Sequence, residues 1–121
     1  MKTGIILLSH GSRLPDAQKT LNELVNQVTL MGHYDTVIGS ALQFNQPDLQ
    51  TAISIMVSEG LKKVVVVPLF LYMGVHMKED IPKIIQEERQ KHPQVQIEIA
   101  GNIGADKRLT EILLDRIGEV V

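Results

Sequence analysis

The chain has 121 residues, 44% hydrophobic and 21% charged, which suits one domain over residues 1–121, able to bury a core, and excludes a disordered composition. A formal net charge of −2 gives no electrostatic case for nucleic acid or an anionic membrane, and the lack of cysteine excludes disulfides and thiolate metal sites. No apolar run is long enough to span a bilayer and residues 5–8 are too brief for a signal-peptide core, so a soluble cytoplasmic protein is the expectation.

Residues 4–9 form a continuous apolar run, the pattern of a strand covered on both faces. The run ends at His10-Gly11-Ser12-Arg13, where Gly11 permits a sharp turn or a close approach to a ligand. Pro15 and Asp16 open a helix with Leu21, Leu24, Val25 and Val28 on one stripe, and Gly32 is placed to end it. Residues 36–44 make a weaker strand, interrupted by Gly39 and Ser40. Turn chemistry over residues 45–48 leads to a helix from about Asp48, with Leu49, Ile53, Met56 and Val57 facing inward and Gly60 at its end.

The next strand starts at Val64 as a β-branched run, again the signature of burial on both faces. Pro68 cannot donate to a ladder, so regular pairing should stop there. Residues 69–75 stay almost wholly apolar, and then one imidazole appears, His76. Asp80 and Pro82 read as a cap and a first-turn proline, so the third helix is expected to begin at Asp80. His92-Pro93 breaks that helix. Val95, Ile97 and Ile99 alternate with polar residues, the period of a strand exposed on one face and hence at an edge. After a loop over residues 101–105, Leu109, Ile112, Leu113, Ile117 and Val120 make a closing amphipathic helix.

Strict β-α alternation implies an α/β fold with a four-stranded parallel sheet, right-handed crossovers and helices on both faces. The most apolar strands, the first and third, belong in the centre, which gives the order 2-1-3-4, a shortened flavodoxin-like arrangement. Its topological switch point lies between strands one and three, where ligands bind beyond the carboxyl ends. His10 leaves strand one and His76 follows strand three, so both are expected at one crevice. An apolar wall, Phe70, Leu71, Tyr72, Met73 and Gly74, stands beside them and suits a flat apolar ligand.

Two neutral imidazoles can ligate cobalt, nickel, iron or zinc, and can accept protons near neutral pH. Without a third ligand they suit a transient metal site better than a structural one. Ser12 reads either as a cap of the first helix or as an anion ligand at its N-terminus. Arg13 reads equally as a partner for an anionic substrate or as a solvated loop charge. His33 and His92 lie near helix C-termini, where a partial positive charge is favoured, and read as structural. Dinucleotide and P-loop glycine patterns are absent.

Three blocks resemble the small CbiX-type sirohydrochlorin chelatases, the class II chelatases. They are His10-Gly11-Ser12-Arg13 after an apolar strand, Gln46-Pro47-Asp48-Leu49 opening the second helix, and the run from Val65 to His76 leading into Glu79-Asp80-Ile81-Pro82. The resemblance covers nearly the full length. It implies a metal chelatase, a lyase, that inserts a divalent metal into sirohydrochlorin: cobalt first, with nickel or iron as alternatives. It implies that His10 and His76 handle metal and protons, that Ser12, Arg13, Gln43 and residues 70–74 contact the tetrapyrrole, and that no organic cofactor is needed. The family often has a glutamate where this chain has Gln43, and an amide neither takes up pyrrole protons nor binds metal well.

Two other readings stand beside this one. A non-catalytic tetrapyrrole or metal carrier would account for Gln43. A phosphate-binding or interaction domain would use Ser12 at the helix N-terminus. Larger family members hold two such domains in one chain, so the resemblance implies a homodimer. Apolar Leu69, Phe70, Leu71, Tyr72, Met73, Val75 and Met77 around one strand end also point to two copies facing each other across a ligand cavity.

Overall fold

In a computed structural model, which describes residues 2–121, the chain alternates strand and helix throughout. The elements are β1 (Thr3–Ser9), α1 (Pro15–Gly32), β2 (Thr36–Ala41), α2 (Leu49–Ser58), β3 (Lys63–Pro68), α3 (Val75–Lys91), β4 (Gln96–Ile99) and α4 (Lys107–Gly118). The sheet order is β2-β1-β3-β4, with every neighbour parallel. This is the α/β arrangement expected from the pattern, with the switch point between β1 and β3.

The register explains the two cores. Side chains alternate across a strand, so Ile6, Leu8, Val64, Val66 and Ile97 face one side. There they meet Ile53 and Met56 of α2 and Ile81 and Ile85 of α3. Each of these side chains is buried, and burial of one such residue contributes about 1.5–3 kcal/mol. Ile5, Leu7 and Val37 face the other side, where α1 supplies Leu21. Arg89 of α3 ties down β4 by donating from Nε to the Ile97 carbonyl at 2.8 Å.

Four expectations from sequence are corrected. First, β3 is not buried on both faces: Val64 and Val66 are buried, but Val65 and Val67 are only half-buried. The reason is the second correction. Helix α4 does not return over the α1 side of the sheet, and none of its residues is buried. Third, β2 ends at Ala41, and residues 42–47 form bends that include left-handed Phe44 (φ 68°).

Fourth, α3 begins at Val75 with Gly74 as its N-cap, so Pro82 lies inside the helix. Pro82 offers no N–H to Lys78, yet the helix continues through it because Ile81 and Ile85 on either side are locked into the core. Asp48 caps α2 as expected, its side chain accepting from the Thr51 N–H at 2.8 Å. His33 and His92 are the C-cap residues of α1 and α3. No helix among the described residues is long and apolar enough to cross a membrane.

Candidate active site

The site is built at the carboxyl ends of β1 and β3. Beyond the last residue of β1 the ladder to β2 runs on: the Leu42 N–H donates to the Ser9 carbonyl at 3.0 Å and the Gln43 N–H to the His10 carbonyl at 3.2 Å. His10 is therefore held by strand-like pairing while its ring stays exposed. On the β3 side the Leu69 N–H donates to the Leu8 carbonyl at 2.8 Å. That bond sets Phe70 beneath His10, with ring centroids 4.2 Å apart and planes tilted by 42°. Phe70 is 3% exposed, so the imidazole rests on a buried apolar floor.

Around this pair opens a cavity of about 480 Å³, lined by His10, Leu69, Phe70, Leu71, Tyr72, Gly74 and Met77. Its volume is in the range of small-molecule sites, and apart from His10 and the Tyr72 hydroxyl its side chains are apolar. A second cavity of about 280 Å³ adjoins it, between Leu71 and Tyr72 on one side and Leu109 and Leu113 of α4 on the other. The loop between them is braced from behind. The Ile103 N–H donates to the Phe70 carbonyl, and the Gly104 N–H and Asn102 Nδ2 both donate to the Leu71 carbonyl, each at 2.9 Å.

The β1–α1 turn is shaped by one close approach. Gly11 has φ 88°, and a Cβ there would overlap the Gln43 carbonyl. Only glycine fits both conditions. Ser12 does not cap α1, whose N-cap is Leu14. Instead the Ser12 Oγ accepts from the Leu14 N–H at 3.0 Å, and its own N–H donates to Asn45 Oδ1 at 2.8 Å. Two donors that an anion would use are thus satisfied internally, which weakens the phosphate-site reading of this turn. The Ser12 hydroxyl proton is what remains to offer a substrate. Arg13 is exposed, and its guanidinium lies over the Phe44 ring, 4.6 Å from the centroid.

The cavity therefore joins His10 to Phe70, Leu71, Tyr72 and Gly74, as the sequence suggested. Met73 does not line it, because its side chain packs against the core of α2 and α3. Ser12, Arg13 and Gln43 stand on the neighbouring β1–α1 and β2–α2 turns. His76 lies outside the cavity lining, exposed in the first turn of α3 between Gly74 and Met77, with Met77 on the lining. Among the described residues no three His, Cys, Asp or Glu side chains converge as a metal cage. Sequence reasoning missed Phe44 and Asn45. Both fell in a stretch read only as strand end and turn, although Phe44 is one of just two phenylalanines in the chain.

Comparison with known proteins decides the family. The CbiX family model matches residues 4–120. The chain belongs to the CbiX family. It is 34% identical to the sirohydrochlorin cobaltochelatase of Methanopyrus kandleri, across 97% of this chain and 96% of that one. It is 36% identical to the sirohydrochlorin cobaltochelatase of Sulfurisphaera tokodaii, across 98% and 93%. Among solved structures, the sirohydrochlorin chelatase SirB from Bacillus subtilis subspecies spizizenii, in complex with cobalt, superposes with a TM-score of 0.91 at 27% identity. It covers 99% of this chain, which spans 51% of SirB.

Proposed function

We propose that this CbiX-family protein is a sirohydrochlorin metal chelatase that inserts divalent cobalt into the macrocycle in cobalamin-type cofactor biosynthesis. Residues 1–121 act as one CbiX-type domain, working in the cytoplasm. Nickel and ferrous iron are the other metals two imidazoles would accept, and no organic cofactor enters the scheme. The observation that carries this reading is the His10 imidazole seated on Phe70 at the rim of an apolar cavity, at the switch point of the sheet. Relatives matched over nearly their whole length are sirohydrochlorin cobaltochelatases, which supports the same substrate here.

Sirohydrochlorin is a flat macrocycle with carboxylate side chains. Its face would stack on Leu71 and Tyr72, with Phe70 behind them. Arg13, presented on Phe44, and the Ser12 hydroxyl would meet carboxylates. His10 and His76 would hold the metal as it sheds water and passes to the ring nitrogens. For each metal bound, two pyrrole protons leave, and imidazole or water accepts them. The metal is substrate, consistent with an open pair of ligands.

Pairing into a homodimer completes the reading. One copy supplies one wall, and a flat ligand needs two to be mostly enclosed. The chain's span of about half of SirB supports this, since a second copy would stand where the rest of SirB does. The side chains left exposed to meet that copy are Leu71, Tyr72 and Val75, because Phe70 is core and Met73 packs inward.

Gln43 favours one second reading, a carrier that binds metal or tetrapyrrole without joining them. Turnover separates the two. With sirohydrochlorin and cobalt in excess over protein, a chelatase gives many equivalents of the metallated absorbance spectrum. A carrier stops at binding, and that result would overturn the enzyme assignment.

A further inference from the structure

The β2–α2 turn carries a side chain that the core does not explain. Phe44 packs in neither hydrophobic cluster, is more than half exposed, and has a left-handed backbone at φ 68°. Bulky residues rarely adopt that conformation, and it persists where the surroundings impose it. Here both flanks impose it. Upstream, Leu42 and Gln43 donate to the Ser9 and His10 carbonyls. Downstream, the Ala41 N–H and the Ser40 Oγ both donate to the Pro47 carbonyl, at 3.1 and 3.0 Å. Within the turn the Asn45 N–H donates to the Gln43 carbonyl at 2.8 Å. The chain thus holds a phenyl ring at the surface in spite of strain and apolar exposure.

What the ring touches is the Arg13 guanidinium. Among the described residues the Arg13 side chain makes no ion pair or hydrogen bond. Its neighbour is fastened to the same turn, because the Ser12 N–H donates to Asn45 Oδ1. Contact with a ring draws on the delocalised charge and uses no N–H donor. The whole donor fork therefore stays available for a carboxylate. An arginine already held in place also loses less rotamer freedom on binding than one swinging in solvent.

We infer that Phe44 is a positioning residue, which holds the Arg13 guanidinium where a carboxylate on the rim of the macrocycle meets it. The backbone ties this placement to the site. The Gln43 bond to the His10 carbonyl and the close approach of Gly11 to the Gln43 carbonyl fix the turn that carries the ring against the turn that carries His10. The inference rests on the tetrapyrrole reading above and assigns it a specificity element apart from metal handling. His10 and His76 act on the metal, whereas Arg13 and Phe44 act on the substituents. Loss of the ring therefore weakens binding and spares the chemical step.

The test is fluorescence titration of metal-free sirohydrochlorin, which needs no turnover, against Phe44→Leu, Phe44→Tyr, Arg13→Ala and the double variant Arg13→Ala/Phe44→Leu. Leucine keeps the apolar bulk and loses the ring face; tyrosine keeps the face. Phe44→Leu is expected to bind about fivefold more weakly than the parent protein, and Phe44→Tyr within about twofold of it. Adding Phe44→Leu to Arg13→Ala should weaken binding no further, since the ring acts through the guanidinium. In about 1 M salt the gap between parent and Phe44→Leu should close, because an exposed ion pair is screened there. In cobalt insertion the loss should fall on KM, with kcat within about twofold. Phe44→Asn separates positioning from a structural role, because asparagine accepts the left-handed backbone. It should bind as weakly as Phe44→Leu with a urea midpoint no lower than the parent's. A lowered midpoint would make Phe44 a structural residue and overturn the inference. Parental affinity in Phe44→Leu, additive losses in the double variant, or a gap that persists in high salt would each overturn it and leave the tetrapyrrole reading intact. A parent protein that binds no sirohydrochlorin would overturn both.

Discussion

The Gln43 N–H donates to the His10 carbonyl at 3.2 Å, so Gln43, where the family resemblance implies a glutamate, is held beside the first histidine of the site. The backbone for a carboxylate is present; only the side chain is neutral. Gln43 is exposed, so a charged group there meets no desolvation cost. Gln43→Glu is expected to raise the rate of cobalt insertion by on the order of tenfold, as an added proton acceptor would. Initial rates with sirohydrochlorin and cobalt check this. An unchanged or slower variant would show that imidazole and water already remove the pyrrole protons.

Gly11 is the second point where backbone geometry governs the site. Its φ of 88° and the overlap that a Cβ would make with the Gln43 carbonyl both exclude a side chain. Gly11→Ala is expected to cost about 1–3 kcal/mol and to push the β2–α2 turn away from His10. Urea unfolding measures the first effect and cobalt-insertion kinetics the second. A variant of parental stability would mean that the turn relaxes without strain.

The Asp48 cap gives a pH-dependent prediction. Donation from the Thr51 side chain and backbone N–H holds its carboxyl below the ordinary value of 3.8. A depressed folded pKa contributes stability that is present above the unfolded value and lost as pH falls through the folded one. Asp48→Ala is expected to destabilise by about 1 kcal/mol at pH 7, with the gap to the parent protein shrinking below about pH 4. Urea midpoints at pH 7 and pH 3 test this; an equal gap at both would rule out the ionised cap as the cause.

The strand order could be read from the sequence because burial leaves a simple mark. The apolar runs at residues 4–9 and 64–67 had to be central, and the switch point followed. His10 was found through that topology. The limits were physical too. Asp80 and Pro82 carry strong helix-start chemistry, but packing of Ile81 and Ile85 extended α3 back to Val75, which put His76 in a first turn and not in a loop. Phe70 looked like an exposed wall because periodicity does not reveal which apolar loop residue turns inward; it is core. The Arg13–Phe44 stack depends on a left-handed Phe44 backbone, which no local pattern announces.

We propose that His10 and His76 carry metal to a tetrapyrrole bound against the cavity loop. It is tested most directly by following cobalt insertion into sirohydrochlorin by absorbance with His10→Ala and His76→Ala, alongside fluorescence titration of the metal-free tetrapyrrole. Both side chains are exposed, so neither change should disturb the core. Each variant is expected to lose at least about a hundredfold in insertion rate while binding the tetrapyrrole within a few-fold of the parent protein. Insertion at the parental rate in either variant would contradict the role given to that histidine, and in both would remove the site from His10 and His76 altogether.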